Sequence, residues 1–243
     1  MKTITISLYN RPEYTRELFQ RLDNCRGIEE YKIFISCEPN DSTVINLAEN
    51  FRPKQTTVTV NPIRLGCNSN VFKAIATGFD HSDYNIHFED DTIPSRDCLE
   101  YFEWAKYEYV NDKSVFTVCG YVNSNNKTEH YNPKSIDVEE IRRRHWFTPW
   151  GWSTWQDRWG EMKREWDFIG KYGSWDCTIN RLLLEKNRYE IYPAVARIQN
   201  IGAEKATHVP SPEWHKNHHF NEYWMESPGL FMNKHNQYKE KII

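Results

Sequence analysis

The 243-residue chain lacks most of the features that would place it at a glance. No stretch approaches the ~18 consecutive apolar residues of a membrane span, so none is expected. No C-x-x-C pair occurs among Cys25, Cys37, Cys67, Cys98, Cys119 and Cys177. Their wide spacing, several within apolar runs, reads as reduced thiols rather than a disulfide framework. Charge of one sign is not in excess: the net value of −3 gives no electrostatic reason to expect nucleic acid or an anionic membrane. G-x-G-x-x-G and the Walker P-loop are both missing, which leaves dinucleotide and Walker-type nucleotide binding unsupported. No internal repeat is visible. The opening MKTITISLYN is too short and too polar for a signal peptide and reads as a strand. These absences together predict a soluble cytoplasmic protein.

Aromatic residues, by contrast, are abundant, at 15% with ten tryptophans. Seven of these lie between positions 146 and 175: Trp146, Trp150, Trp152, Trp155, Trp159, Trp166 and Trp175. Flat rings with one polar edge suit both protein cores and sugar faces. Core packing is the expectation for most of them, with two or three left to meet a ligand.

The most informative local feature is Glu89-Asp90-Asp91, directly behind the apolar run Tyr84-Asn85-Ile86-His87-Phe88. Such a short aromatic and β-branched run reads as a buried strand. In open α/β sheets, ligands bind beyond the carboxyl ends of strands. Three adjacent carboxylates there repel one another unless a cation relieves them, and hard oxygen ligands suit Mg²⁺ or Mn²⁺ with phosphates. The competing reading is a solvated acidic turn.

Around this triplet the first half alternates. Strands are expected at 3–8, 31–37, 56–60, near 86–88 and at 115–119. Helices are expected at 11–22, capped by Asn10, and at 42–50, 68–79 and 95–109. That alternation predicts an α/β fold with a mixed, mostly parallel sheet and right-handed crossovers. Beyond Gly120 the pattern changes: a polar loop over 123–137, the run Arg142-Arg143-Arg144 read as a solvated face, a helix over 176–186, short strands at 189–192 and 195–200, and a His-rich tail. Two halves are expected, 1–120 for a nucleotide and 121–243 for an acceptor, with the end of the second as a lid or tail, on one continuous sheet.

Several segments in order carry a family resemblance. YNIHFEDDTIPSRDCLEYF resembles the donor-site segment of GT-A glycosyltransferases, above all the inverting N-acetylglucosaminyltransferase I family. ISLYNRPEYTRELFQRL is similar to that family's first strand and Arg-containing turn, and ISCEPND to the end of its second strand. FTPWGWSTWQDRW, SWDCTI and IGAEKATH resemble its P-G-x-G-W, W-D-D and late G-x-x-G-x-x-H segments.

The resemblance implies roles. Asp91 would bind Mn²⁺ (or Mg²⁺), with His208 as a second ligand. Glu89 and Asp90 would hold the ribose and donor sugar. Arg11 would reach the base or diphosphate, Arg64 the diphosphate, and Glu38 the N3–H of uracil, which points to a UDP-sugar. Trp152 would shape the floor under the sugar, with Trp175 beside it. Asp176 would be the base that deprotonates the acceptor hydroxyl; its structural alternative is a helix cap. One departure stands out: Cys177 sits where the family often has a second Asp.

The implied function is metal-dependent, inverting transfer of GlcNAc or a related hexose from a UDP-sugar to a carbohydrate hydroxyl on a glycan or glycoconjugate acceptor. Two alternatives stay open. A sugar-phosphate nucleotidyltransferase would need an early Gly-rich activating loop, which this N-terminus lacks. A non-catalytic carbohydrate-binding protein would have no need of the acidic triplet and Asp176.

Overall fold

The computed structural model describes residues 1–51, 53, 55–122, 138–202 and 213, and the backbone of 239–240. Its first half builds β1 (Lys2–Leu8), α1 (Pro12–Asp23), β2 (Tyr31–Cys37), α2 (Ser42–Asn50), β3 (Thr56–Val60), α3 (Cys67–Phe79) and β4 (Tyr84–Glu89). Ile4, Ile6 and Leu8 are buried on one face of β1 while Thr3, Thr5 and Ser7 are buried on the other. A strand covered on both faces is what a parallel sheet flanked by helices requires. These four strands run parallel in the order β3-β2-β1-β4.

The second half contributes β5 (Thr92–Pro94), α4 (Cys98–Glu108), β6 (Val115–Cys119), β7 (Glu140–Arg144), β8 (Trp152–Trp155), α5 (Gln156–Glu165), α6 (Trp175–Glu185), β9 (Tyr189–Pro193), β10 (Ile198–Asn200) and β11 (Lys239–Glu240). Strand β8 inserts antiparallel between β4 and β6, so one nine-stranded sheet, β11-β7-β9-β6-β8-β4-β1-β2-β3, runs through both segments. β9 joins β6 in parallel and β7 antiparallel. The sheet is therefore mixed, as expected. A separate two-stranded ribbon pairs β5 with β10.

Several local expectations are corrected. Helix α1 begins at Pro12 with Arg11, not Asn10, at its N-cap, and no side chain caps it. Helix α4 begins at Cys98, because residues 92–94 are taken into the β5–β10 ribbon first; Ile93, preceding a proline, favours extended backbone. The arginine run is not a solvated face. It is strand β7, with Arg142 paired to Glu140 at 2.7 Å, Arg143 to Asp112 at 3.2 Å and Arg144 to the buried Glu190 at 2.7 Å.

Most of the tryptophans form a core. Trp152, Trp155, Trp159, Trp166 and Trp175 are all buried, and among the described tryptophans only Trp146 is strongly exposed. The Trp166 and Trp175 rings stack at 5.6 Å and 7°. Their cluster packs α3, α5 and α6 against β6 and β8. The described cysteines are free thiols. Among the described residues no helix is long and apolar enough to cross a membrane.

Candidate active site

The chain passes from β1 outward through β2 to β3, then returns to place β4 on the other side of β1. That reversal opens a crevice beyond the carboxyl ends of β1 and β4, where α/β sheets bind ligands. Arg11 leaves the end of β1 and the acidic triplet leaves the end of β4, so both meet there.

Arg11 Nη1 donates to Asp91 Oδ2 at 2.7 Å, and Arg11 Nη2 donates to Asp90 Oδ1. Asp90 and Asp91 are buried, at 2% and 7% exposure. Among the described residues, each keeps one oxygen, Asp90 Oδ2 and Asp91 Oδ1, buried without a hydrogen-bond partner. Orphaned buried carboxylate oxygens are costly and call for a cation or donor. Burial pushes Asp90 up to about 6, against the pull of Arg11. Burial, then Asp91, raises Glu89 well above the carboxylate range, with Asp176 adding to the push. Asp91 is braced from behind: its carbonyl accepts from Ile201 N at 2.8 Å. A Cβ at Gly202 would collide with Asp91 Oδ2, so only glycine lets the chain leave β10 this close to the carboxylate.

Glu38, at the end of β2, is 2% exposed and is no solvated turn. Its carboxylate accepts from Leu65 N and Gly66 N, the latter at 2.7 Å, and from Asn61 Nδ2 at 3.2 Å. These three N–H donors take most of the acceptor capacity of a carboxylate, whose two oxygens offer about four lone-pair sites. Glu38 thus anchors the loop that carries Arg64, whose guanidinium lies 4.7 Å from the Tyr9 ring centre. The loop leads through Gly66, with φ of +81°, into α3.

Asn68, in the first turn of α3, ties this region to α6. Its Oδ1 accepts from Trp175 N at 3.2 Å, its Nδ2 donates to Asp167 O at 2.9 Å, and its carbonyl accepts from Trp166 Nε1 at 3.0 Å. Asp176 follows Trp175 in the first turn of α6. It does not cap the helix: Ser174 holds that position, and its hydroxyl donates to Asp176 Oδ1. The Asp176 charge is near enough to raise both Glu89 and the Cys67 thiol. Cys67 is exposed at the start of α3, and desolvation in the cleft with the Glu89 charge pushes it up to about 12.

A family model described as the GNT-I family matches residues 71–217. The chain belongs to the GNT-I family. The match covers β4, the acidic triplet, the tryptophan core and α6, the elements that converge on the crevice. No curated protein matches.

Solved structures share the fold. A mannosyltransferase from Pyrobaculum calidifontis, solved in complex with GDP-Man and Mn²⁺, superposes with a TM-score of 0.54 at 14% identity over 80% of this chain and 57% of its own. S. aureus TarS superposes at 0.55 with 13% identity over 79% and 60%. Its complex with UDP gives 0.52 at 13% identity, again over 79% and 60%. The chain thus spans less than two thirds of the length of these structures. The shared architecture is the α/β fold of GT-A proteins.

For this GNT-I family chain, the structure gathers Arg11, Arg64, Glu89, Asp90, Asp91 and Asp176 around one crevice and places two expected ligand contacts elsewhere. Trp152 and Trp175, at 1% and 2% exposure, offer no free face to a sugar. They stack on each other at 5.9 Å, while Phe147 meets Trp152 edge-on at 4.9 Å. Both belong to the core cluster that packs α3, α5 and α6 against the sheet. His208 lies outside the described residues.

Among those residues no three His, Cys, Asp or Glu side chains are grouped to hold a metal ion by themselves. The donor set nevertheless fits a hard divalent cation. Two orphaned carboxylate oxygens lie side by side in sequence, and Mg²⁺-type sites use one or two carboxylates completed by phosphate and water. Three structural partners were not foreseen: Asn68, Ser174 and Cys67. The first two carry no distinctive motif, and Cys67 becomes notable only once Glu89 and Asp176 stand beside it.

Proposed function

We propose that the chain is a metal-dependent inverting glycosyltransferase that moves GlcNAc or a related hexose from a UDP-sugar to a carbohydrate hydroxyl. The observation that carries this reading is the pair of buried carboxylates, each with an orphaned oxygen, at the crevice between β1 and β4. The GNT-I family match and the neighbours solved with GDP-Man and Mn²⁺ or with UDP support it.

In this reading Asp91 holds the cation, with His208 as a second ligand. Bound Mn²⁺ or Mg²⁺ supplies electrostatic stabilisation for charge developing on the departing diphosphate. Arg11 and Arg64 bind the diphosphate. Asp90 and Glu89 bind ribose and donor-sugar hydroxyls. Glu38 acts on the nucleotide through the Leu65–Gly66 loop. Asp176 takes the proton of the acceptor hydroxyl as that oxygen attacks the anomeric carbon. The bond from that carbon to the diphosphate breaks, and UDP leaves with the electron pair. Attack from the face opposite the diphosphate inverts the configuration.

The test is UDP release from a panel of UDP-sugars with Mn²⁺ and glycan acceptors. Wild type is expected to release UDP with at least one donor, and Asp91→Asn to lose metal-dependent donor binding. A wild-type chain that binds no UDP-sugar in the presence of Mn²⁺ or Mg²⁺ overturns the reading.

A further inference from the structure

Arg11 has an unusual position for a side chain expected at a diphosphate. Among the described residues its hydrogen bonds go to Asp90 and Asp91, and its guanidinium also lies 5.8 Å from the Tyr14 ring centre. It stands at the N-cap of α1, yet its side chain makes no capping bond. The carboxylates it bridges are buried, Asp90 at 3% side-chain exposure and Asp91 at 10%.

Charge balance shows the consequence. One guanidinium against two carboxylates leaves surplus negative charge, and Asp90 Oδ2 and Asp91 Oδ1 have no hydrogen-bond partner for it among the described residues. A divalent cation on those oxygens reverses the sign, because cation and guanidinium together exceed the two carboxylates. Uncompensated charge of either sign is expensive where water is excluded. A diphosphate removes the excess, and a bidentate guanidinium suits phosphate oxygens as well as carboxylates.

We propose that Arg11 is an internal counter-cation that couples the two ligands: it lowers the affinity of the empty site for a divalent cation and moves to the diphosphate when nucleotide and cation arrive together. The role rests on the donor reading above, but its first half concerns the chain and the cation alone. Arg11 on this account touches the carboxylates in the empty site and the diphosphate in the loaded one. It makes cation and nucleotide binding mutually dependent, and the dependence is reciprocal by linkage.

The test measures Mn²⁺ affinity of the full chain from the free-Mn²⁺ electron paramagnetic resonance signal, without nucleotide and with UDP, correcting for Mn²⁺ bound by UDP alone. Wild type is expected to bind Mn²⁺ weakly alone and at least ~10-fold more tightly with UDP, within the range of site-to-site coupling. Arg11→Gln is expected to bind Mn²⁺ alone ~5-fold or more tighter than wild type, while the gain from UDP shrinks. A purely structural role predicts weaker binding in both conditions. Arg11→Lys, which keeps the charge but not the two-pronged contact, is expected to retain the coupling.

The proposal is overturned if folded Arg11→Gln binds Mn²⁺ alone no more tightly than wild type. If Arg11→Gln does not fold, loss of coupling in Arg11→Lys overturns it instead. Absence of any UDP effect in wild type sinks the donor reading, while the nucleotide-free comparison still decides what Arg11 does to the cation site.

Discussion

Two buried arginine–carboxylate clusters in this protein differ in completeness. In the first, Glu190 is fully buried on β9 and accepts from Arg144 Nη2 at 2.7 Å, Arg144 Nε at 3.0 Å, Thr117 Oγ1 at 2.9 Å and Thr148 N at 3.0 Å. Arg144 also donates to Thr148 Oγ1 at 2.8 Å. Both carboxylate oxygens have partners. In the second, Arg11 serves Asp90 and Asp91 together and leaves one oxygen of each orphaned. A satisfied cluster specifies structure; an unsatisfied one stores a demand for something absent. Both are buried, so burial alone does not tell them apart.

That contrast predicts distinct mutational signatures. The largest effect concerns Asp176, a carboxylate outside both clusters. Asp176→Asn is expected to lower transfer ~10²–10⁴-fold while donor binding and stability stay near wild type, the signature of a lost general base. UDP-release kinetics alongside donor titration measure it, and a normal turnover number removes Asp176 from the mechanism.

Next comes the satisfied cluster. Arg144→Met strands the Glu190 charge and is expected to cost ~3–5 kcal/mol in unfolding free energy, with little change in donor affinity of the folded fraction. Arg144→Met with Glu190→Leu should recover most of the loss. A double variant no more stable than the single one breaks the comparison.

Glu38 stands between the two cases, since it is satisfied like Glu190 but beside the site. Glu38→Gln presents an amide where Leu65 and Gly66 need acceptors. It should cost ~1–3 kcal/mol in chemical denaturation and raise the KM for donor as the Arg64 loop loosens. A change in stability without one in KM would make the loop irrelevant to donor binding.

The smallest effect sharpens the unsatisfied cluster. Asp90 is raised from 3.8 to about 6, so the folded state holds its proton more tightly than the unfolded chain. Its stabilising contribution is then complete below about pH 4 and lost as pH rises through about 6. In metal-free protein, Asp90→Asn should therefore be no less stable than wild type at pH 7, by up to ~3 kcal/mol in the variant's favour. The difference between the two should vanish towards pH 4. The buried His87, lowered to about 3 by desolvation, works oppositely and destabilises the fold as pH falls below its ordinary value of 6.5. Because it acts in both proteins, the wild-type minus variant difference removes it and leaves Asp90 together with the Glu89 and Arg11 charges linked to it.

Legibility in the sequence followed how local each cause was. The β1–β4 half was readable because each strand is a short apolar run and each helix has its own amphipathic stripe. The stretch from Trp146 to Trp175 was not, since its tryptophans follow neither strand nor helix period clearly. β8 and α5 emerge there only because β8 slots between β4 and β6. The same distance effect explains the arginine run: Arg142, Arg143 and Arg144 resemble a solvated face until β9 brings Glu190 opposite Arg144. Glu38 was singled out from the sequence, but its partners lie 27 and 28 residues away in the chain, so its anchoring role was not.

The sequence by itself determined the alternating α/β plan, the placement of Glu89-Asp90-Asp91 at a strand end and the likeness that the GNT-I family match bears out. Those follow from local pattern and from residue order. Tertiary structure alone decided that Arg11 bridges two of the three carboxylates, that Trp152 and Trp175 face inward, and that Ser174 rather than Asp176 sits at the head of α6. Those depend on which oxygens find partners across 80 residues of chain, a matter of three-dimensional charge and space that no local pattern encodes.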